Sequence, residues 1–169
     1  MLENIFKTRR SIRKYTDQKI KKEDLKKLAE SAFYAPTGRN ANDIELVVTD
    51  DRKVLDELST FKSGAAMLKG AQAAITVLSD PEVGDGTHRQ DACIAATYIL
   101  LKVAELGLGA CWLNVCTSGP QAAENIRKAL NVPEKYNVET VISIGYPDED
   151  RGEKQLRDMK GKVHTDTFS

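Results

Sequence analysis

Histidine, cysteine and tryptophan are scarce: the 169 residues hold two His, three Cys and one Trp. So small a set leaves little room for a zinc centre or a Ser–His–Asp triad. Cys93, Cys111 and Cys116 are odd in number and lack metal-ligand spacing. They read as reduced thiols of a cytoplasmic protein, not as a disulfide framework. Net charge is also missing, with 25 basic residues against 25 acidic ones. That balance argues against a general nucleic-acid binder, which is usually basic overall. Long apolar runs are absent too: Ala92 to Leu101 is about half of a membrane span. The opening residues have no apolar stretch of the secretory kind. The expectation is a cytoplasmic protein with no membrane or nucleic-acid partner.

What is present suits one domain over residues 1–169, since 41% of the residues are hydrophobic in a chain of 18.7 kDa. The charge balance hides an asymmetry. Residues 1–27 carry ten Lys or Arg and four acids, net +6, and the remainder is net −6. Such a segment suits an anion site or a solvated helix face.

Periodicity predicts a short helix around Leu2, Ile5 and Phe6, and a clearer one from Lys22 to Tyr34, with Leu25, Leu28, Ala29, Ala32 and Phe33 on one stripe. Pro36 stops it. Strands are expected at Ile44–Val48, Ala73–Leu78, Ala110–Val115 and Val138–Tyr146, and the second reads as buried on both faces. Helices are expected at Asp51–Leu58 and His88–Glu105. The latter is apolar nearly all round, and Gly107 suits its left-handed end. Ser118 and Gln121 have the spacing of a capping box opening a further helix. There is no Gly-x-Gly-x-x-Gly between strand and helix: Gly107-Leu108-Gly109 follows a helix and opens a strand, the wrong order for a dinucleotide fingerprint.

Few residues are placed for chemistry of their own. His88 sits near a helix start and His164 in a tail, Cys111 reads as a buried inert thiol, and Asp148, Glu149 and Asp150 read as a solvated turn. An enzyme built this way borrows its reactive group from a cofactor. One cluster stands out. Arg9-Arg10-Ser11-Ile12-Arg13 puts three guanidiniums and a hydroxyl within five residues. Arginine forks match phosphate oxygens, and serine adds a hydrogen bond. If extended, the segment sends Arg9, Ser11 and Arg13 to one side, along an elongated anionic ligand. Aromatic interleaving is limited to Phe6 and Tyr15, which makes a nucleic-acid surface a weak reading.

The order of motifs then carries a resemblance. Arg9-Arg10-Ser11-x-Arg13-x-Tyr15 precedes Ala35-Pro36-Thr37-Gly38-Arg39-Asn40. Gln90-Asp91-Ala92 opens the long apolar helix, which ends in Glu105-Leu106-Gly107-Leu108-Gly109. Ala110-Cys111-Trp112-Leu113 follows, then Leu130-Asn131-Val132-Pro133-Glu134, then Ile144-Gly145-Tyr146-Pro147. Together they resemble the FMN-dependent nitroreductases over about residues 2–165.

The resemblance implies an α+β nitroreductase-like fold, a central mostly antiparallel sheet flanked by helices, in an intertwined homodimer with FMN at the interface. It implies that Arg9, Arg10 and Ser11 meet the FMN phosphate and ribityl chain, and that Arg13 reaches the N1–C2=O edge of the ring. Pro36, Thr37, Gly38 and Asn40 would come from the other subunit, and Trp112, Leu113 and Asn114 would present backbone groups. Arg157, with Lys154 and Lys160 close by, is the candidate for the C-terminal phosphate contact. No side chain is assigned as catalytic and no metal is expected.

The chain departs from the family's pattern in two places. Asn40-Ala41-Asn42-Asp43-Ile44 stands where Asn-x-Gln-Pro-Trp is usual, and Ser63 and Ala66 stand where larger members place Asn and Lys. The function implied is an oxidoreductase passing electrons from NAD(P)H through FMN to a nitroaromatic or quinone by a ping-pong mechanism. The alternative is a flavin-holding protein of the same fold for storage, sensing or delivery.

Overall fold

Four strands form one sheet whose two faces are both covered, and this doubles the apolar demand on its central strands. The computed structural model describes residues 2–168. Strands β1 (Ile44–Thr49), β2 (Ala73–Ser79), β3 (Gly109–Asn114) and β4 (Asn137–Gly145) lie in the order β1-β2-β4-β3. Every neighbouring pair is antiparallel. Helices α1 (Leu2–Thr8), α2 (Lys22–Ala32), α3 (Arg52–Leu58), α4 (His88–Glu105) and α5 (Pro120–Leu130) surround it, with 3-10 turns at Gly38–Asn40 and Ser63–Lys69.

β2 is buried at all seven positions, as its continuous apolar run requires. Ala74 and Leu78 face a core shared with Leu55, Leu58, Ala122 and Ile126 of α3 and α5. Ala73, Ile75 and Val77 face the opposite core, built with Leu25 and Leu28 of α2 and Ala92, Ala95, Ala96 and Ile99 of α4. The register slips between Val77 and Leu78, where Glu139 of β4 is bulged; its buried carboxylate accepts from Ser79 Oγ at 2.8 Å.

α4 spans the range its pattern predicts, and Gly107 follows it at φ 71°. α3 is capped by Asp51, which accepts from the Lys53 and Val54 amides. The capping box expected at Ser118 and Gln121 does not form. α5 begins at Pro120 with Gly119 as its N-cap and no side-chain cap bond. Pro120 has no N–H to satisfy and a φ suited to the first helical turn, so it takes that place and leaves Ser118 too early. Ser118 Oγ donates instead to the Asn114 carbonyl at 2.9 Å, and Gln121 Nε2 to Asn125 Oδ1 at 2.8 Å.

The N-terminal basic segment adds to the β3 end of the sheet. Ser11 forms a parallel bridge with Ala110 and Tyr15 an antiparallel one with Pro147. The Tyr15 hydroxyl donates to the Ile12 carbonyl at 2.6 Å and lies 2.8 Å from Ser143 Oγ. Two glycines allow this approach: a Cβ on Gly109 would sit 2.8 Å from Ile12, and one on Gly145 2.7 Å from the Tyr15 ring. Gly145→Ala is therefore expected to destabilise the protein by about 1–3 kcal/mol, the usual cost of overpacking. Urea unfolding measures it, and an unchanged midpoint would show that Tyr15 does not need this contact.

Candidate functional site

The geometry of the basic segment follows from what pins it. Ile12 and Tyr15 are buried, which leaves Ser11, Arg13 and Lys14 on the outer side. Glu149 Oε1 accepts from the Arg13 amide at 2.6 Å and from the Lys14 amide at 3.2 Å. Its Oε2 takes the Arg151 guanidinium at 2.8 and 2.7 Å. These bonds, the Arg13 amide first, hold the Glu149 carboxyl below its ordinary range. The turn that reads as solvated is thus a clamp, and the Glu149 side chain is 14% exposed. Arg10 Nη1 donates to the Arg151 and Gly152 carbonyls. Arg9 and Arg10 line one hollow of about 330 Å³ against Leu100, Val103 and Leu108, so the strict alternation expected is not kept at its start. Among the described residues the Arg9 guanidinium and the Ser11 hydroxyl make no hydrogen bond or ion pair.

β3 is the outer strand here, and residues 11–12 cover only its beginning. Ala110 O accepts from the Ile12 amide at 2.9 Å. By antiparallel alternation, the N–H and C=O of Trp112 and Asn114 point the same way, off the sheet edge. Trp112 O is met only by the weak Cys111 thiol donor at 3.7 Å. Arg13 approaches from one side: its charge acts on Cys111.

Lys62, which the sequence reading passed over, comes from the other side. Its ammonium donates to the Asn114 carbonyl and lies 3.3 Å from Ser118 Oγ. Burial pulls the Lys62 value down, with Cys111 and Cys116 opposing. Burial pushes the Cys111 thiol up, with Arg13 and Lys62 pulling it back, which suits an inert sulfur between two cations. Lys62 stands just before Ser63, and that nearness to the departing positions Ser63 and Ala66 was the available signal. Glu149 gave none, because the Arg13 and Lys14 amides that it takes lie more than a hundred residues away.

The remaining expected site residues stand apart. Pro36, Thr37, Gly38 and Asn40 belong to a loop docked on the start of α4: the Gly38 amide donates to Asp91 Oδ1 at 2.9 Å, and Arg39 pairs with Asp85. Arg39 and Asn40 have left-handed φ of 54° and 55°, a strained conformation for side-chain-bearing residues. No hydrogen bond or ion pair within the chain joins this loop to Arg9–Arg13 or to Trp112–Asn114 among the described residues. Arg157 lines a different hollow with Glu3, Phe6 and Lys7 and is not brought to Arg9. The arrangement offers two cations, a free guanidinium, a hydroxyl and a main-chain donor and acceptor along one edge. That set can hold a long anionic ligand with a polar ring.

Comparison with known proteins gives the class. The sequence profile of the Nitroreductase family matches residues 6–74 and 61–146, and the chain belongs to that family. A candidate NADH dehydrogenase/NAD(P)H nitroreductase of Archaeoglobus fulgidus is 35% identical over 147 residues, covering 85% of this chain and 84% of that one. An FMN-dependent nitroreductase of Clostridium difficile R20291 superposes with a TM-score of 0.91 at 41% identity, covering 97% of this chain and 98% of that one. A candidate nitroreductase of Desulfovibrio desulfuricans, solved in complex with FMN, superposes with a TM-score of 0.82 at 25% identity, covering 99% and 98%.

The Glu149 clamp makes a prediction. Glu149→Ala is expected to raise hydrogen exchange at the Arg13 and Lys14 amides severalfold at pH 7. Because its carboxyl value is lowered by folding, the clamp is present above the ordinary Glu value of about 4.3 and is lost as pH falls through the lower folded value. The wild type should loosen in the same two amides in acid. Unchanged exchange in the variant would refute the clamp.

Proposed function

We propose that the protein is an FMN-dependent oxidoreductase that moves electrons from NAD(P)H to a small electron-poor acceptor, such as a nitroaromatic or quinone, and works as a homodimer of single-domain chains. The observation that carries this is the β3 edge: unpaired Arg9 and Ser11 in sequence with Arg13 at its start, and Lys62 on the Asn114 carbonyl at its end, with both cations acting on Cys111 between them in the strand. Arg9 and Ser11 hold the phosphate and ribityl end, with Arg10 fixed beside them by the Arg151 and Gly152 carbonyls. Trp112 offers its main-chain N–H and C=O to the polar rim of the ring, next to Leu113 and Asn114. Arg13 and Lys62 set positive charge at that rim. When bound, FMN supplies the redox chemistry, accepting a hydride and passing electrons on. The two cations favour the added negative charge, so they act on the reduction and not only on affinity.

The dimer is supported by the split of the site. The Pro36–Asn42 loop and the β3 edge do not meet in one chain, and a second copy brings them together. α4 supports it too, because Cys93, Ile94, Thr97, Tyr98 and Leu101 leave an outward face with no ionised side chain. A permanent interface of this kind buries roughly 2,000 Å² or more in total. NAD(P)H and the acceptor then use one open side of the site in turn, which is ping-pong order.

Two substitutions test the roles. Arg13→Ala is expected to slow flavin reduction by NAD(P)H, and to lower the flavin potential, more than it weakens FMN binding. Arg9→Ala should do the reverse, weakening binding by about 1.5–3 kcal/mol, as loss of a charged hydrogen bond does, because phosphate contacts are the same in both redox states. FMN titration and stopped-flow reduction at saturating FMN read both. Failure of NADH and NADPH alike to bleach wild-type bound flavin would favour the storage reading, and absence of FMN binding would end both.

A further inference from the structure

Asp43 closes the strained loop and leads into β1. Its residue is 1% exposed, and neither carboxylate oxygen has a hydrogen-bond partner among the described residues. An ionised carboxylate in that state is costly. A cation, an ion pair or a proton could relieve it. Among the described residues no group of three or more His, Cys, Asp or Glu is arranged to hold a metal. The nearby cations are engaged elsewhere, Lys135 with Asp80 and Arg39 with Asp85.

The charged surroundings of Asp43 are mostly acidic. Asp91 of α4 and Asp80 of the loop after β2 face it, and His88 of α4 alone opposes them. Asp91 is already satisfied by the Gly38 amide at 2.9 Å and the Thr87 hydroxyl at 2.8 Å. Asp80 accepts from the Glu82 and Val83 amides as well as from Lys135. His88 Nδ1 is itself buried without a partner. Gly84 packs over both side chains: a Cβ there would stand 2.6 Å from Asp43 Oδ2 and 2.6 Å from His88 Cβ. The packing holds Asp43 beside His88 with no hydrogen bond between the two side chains among the described residues.

We propose that Asp43 is a positioning residue that works as a proton-operated clamp: neutral, it stays buried and seats the Pro36–Asn42 loop on α4; ionised, it leaves the interior and releases the loop. The release is short-ranged, because the loop has few other holds. Toward the rest of the fold they are the Gly38 amide on Asp91, the close packing of Gly38 on Thr87 and the exposed Arg39–Asp85 pair; inside the loop they are the Thr37 hydroxyl on the Ala41 carbonyl at 2.6 Å and the Asn40 and Ala41 amides on the Thr37 and Gly38 carbonyls. The left-handed Arg39 and Asn40 relax once these let go. The consequence for electron transfer rests on the dimer reading, in which this loop completes the other subunit's site. The clamp itself does not rest on it.

Burial raises the Asp43 carboxyl above its ordinary value, its own main-chain amide pulls it back, Asp91 and Asp80 add to the rise, and His88 opposes it. The folded protein therefore holds this proton more tightly than the unfolded chain. The contribution is full below the ordinary Asp value of about 3.9 and is lost as pH rises through the higher folded value.

The test is amide hydrogen exchange at Gly38, corrected for the intrinsic rate, from about pH 5 to 9, in wild type and Asp43→Asn, with and without FMN. Wild-type protection is expected to fall by up to about tenfold per pH unit across the titration, and Asp43→Asn to stay flat. The same pH profile in both proteins, or a uniform loss of protection in the variant at every pH, overturns the clamp. If Asp43→Asn does not fold, carbon-13 titration of labelled aspartates in the wild type decides. One carboxyl titrating well above the ordinary range, and missing from Asp43→Glu or shifted in it, supports the clamp, and all carboxyls at or below that range refute it. Flavin absorbance in the same samples separates the two readings, since absence of FMN binding would leave the Gly38 profile to judge the clamp alone.

Discussion

The site depends on holding a positively charged strip of chain against the end of a sheet. Arg9, Arg10, Arg13 and Lys14 repel one another, and a free segment of that composition would spread into solvent. Ile12 and Tyr15 anchor it by burial, and Glu149 anchors it by taking two successive amides. The anchoring groups neutralise little of the strip's charge. Glu149 spends one oxygen on main-chain N–H groups and the other on Arg151, so the Arg13 charge remains available at the β3 edge. A direct Glu149–Arg13 side-chain pair would have held the strip and silenced it.

The second constraint is separation. The β3 edge and the Pro36–Asn42 loop are built on different parts of the sheet and have different supports. The edge is fixed by β4 and the residue 148–152 turn, the loop by α4. Each is organised inside one chain, so dimerisation can assemble the site without refolding either half. α4 links the two: its first turn seats the loop through Asp91, and its last turns wall the hollow beside Arg9. The departure from the family's pattern at Asp43 falls at the end of this loop, with a buried carboxyl where proline is usual.

Local pattern made much of the fold legible. α4 could be bounded from sequence because it is apolar nearly all round and ends before a glycine that takes φ 71°. β2 could be read because the six residues Ala73–Leu78, apolar but for Thr76, have no solvent face to spare. The basic cluster and the β3 segment could be paired only through the family resemblance, since nothing local says that Ser11 bridges Ala110. Local pattern also misled at Ser118, where proline chemistry overrode a capping box. Lys62 and Glu149 were invisible for a common reason: their roles are set by partners far along the chain, while their own neighbours look like ordinary surface. Arg157, within one chain, lines another hollow beside Glu3, Phe6 and Lys7.

The central claim is that two chains share each flavin site. Sedimentation velocity followed at the flavin absorbance band tests it most directly, with the protein at micromolar concentration and FMN added. The account predicts that all protein-bound flavin sediments with a species of twice 18.7 kDa, at one flavin per chain. Flavin travelling with a single chain of 18.7 kDa would contradict it.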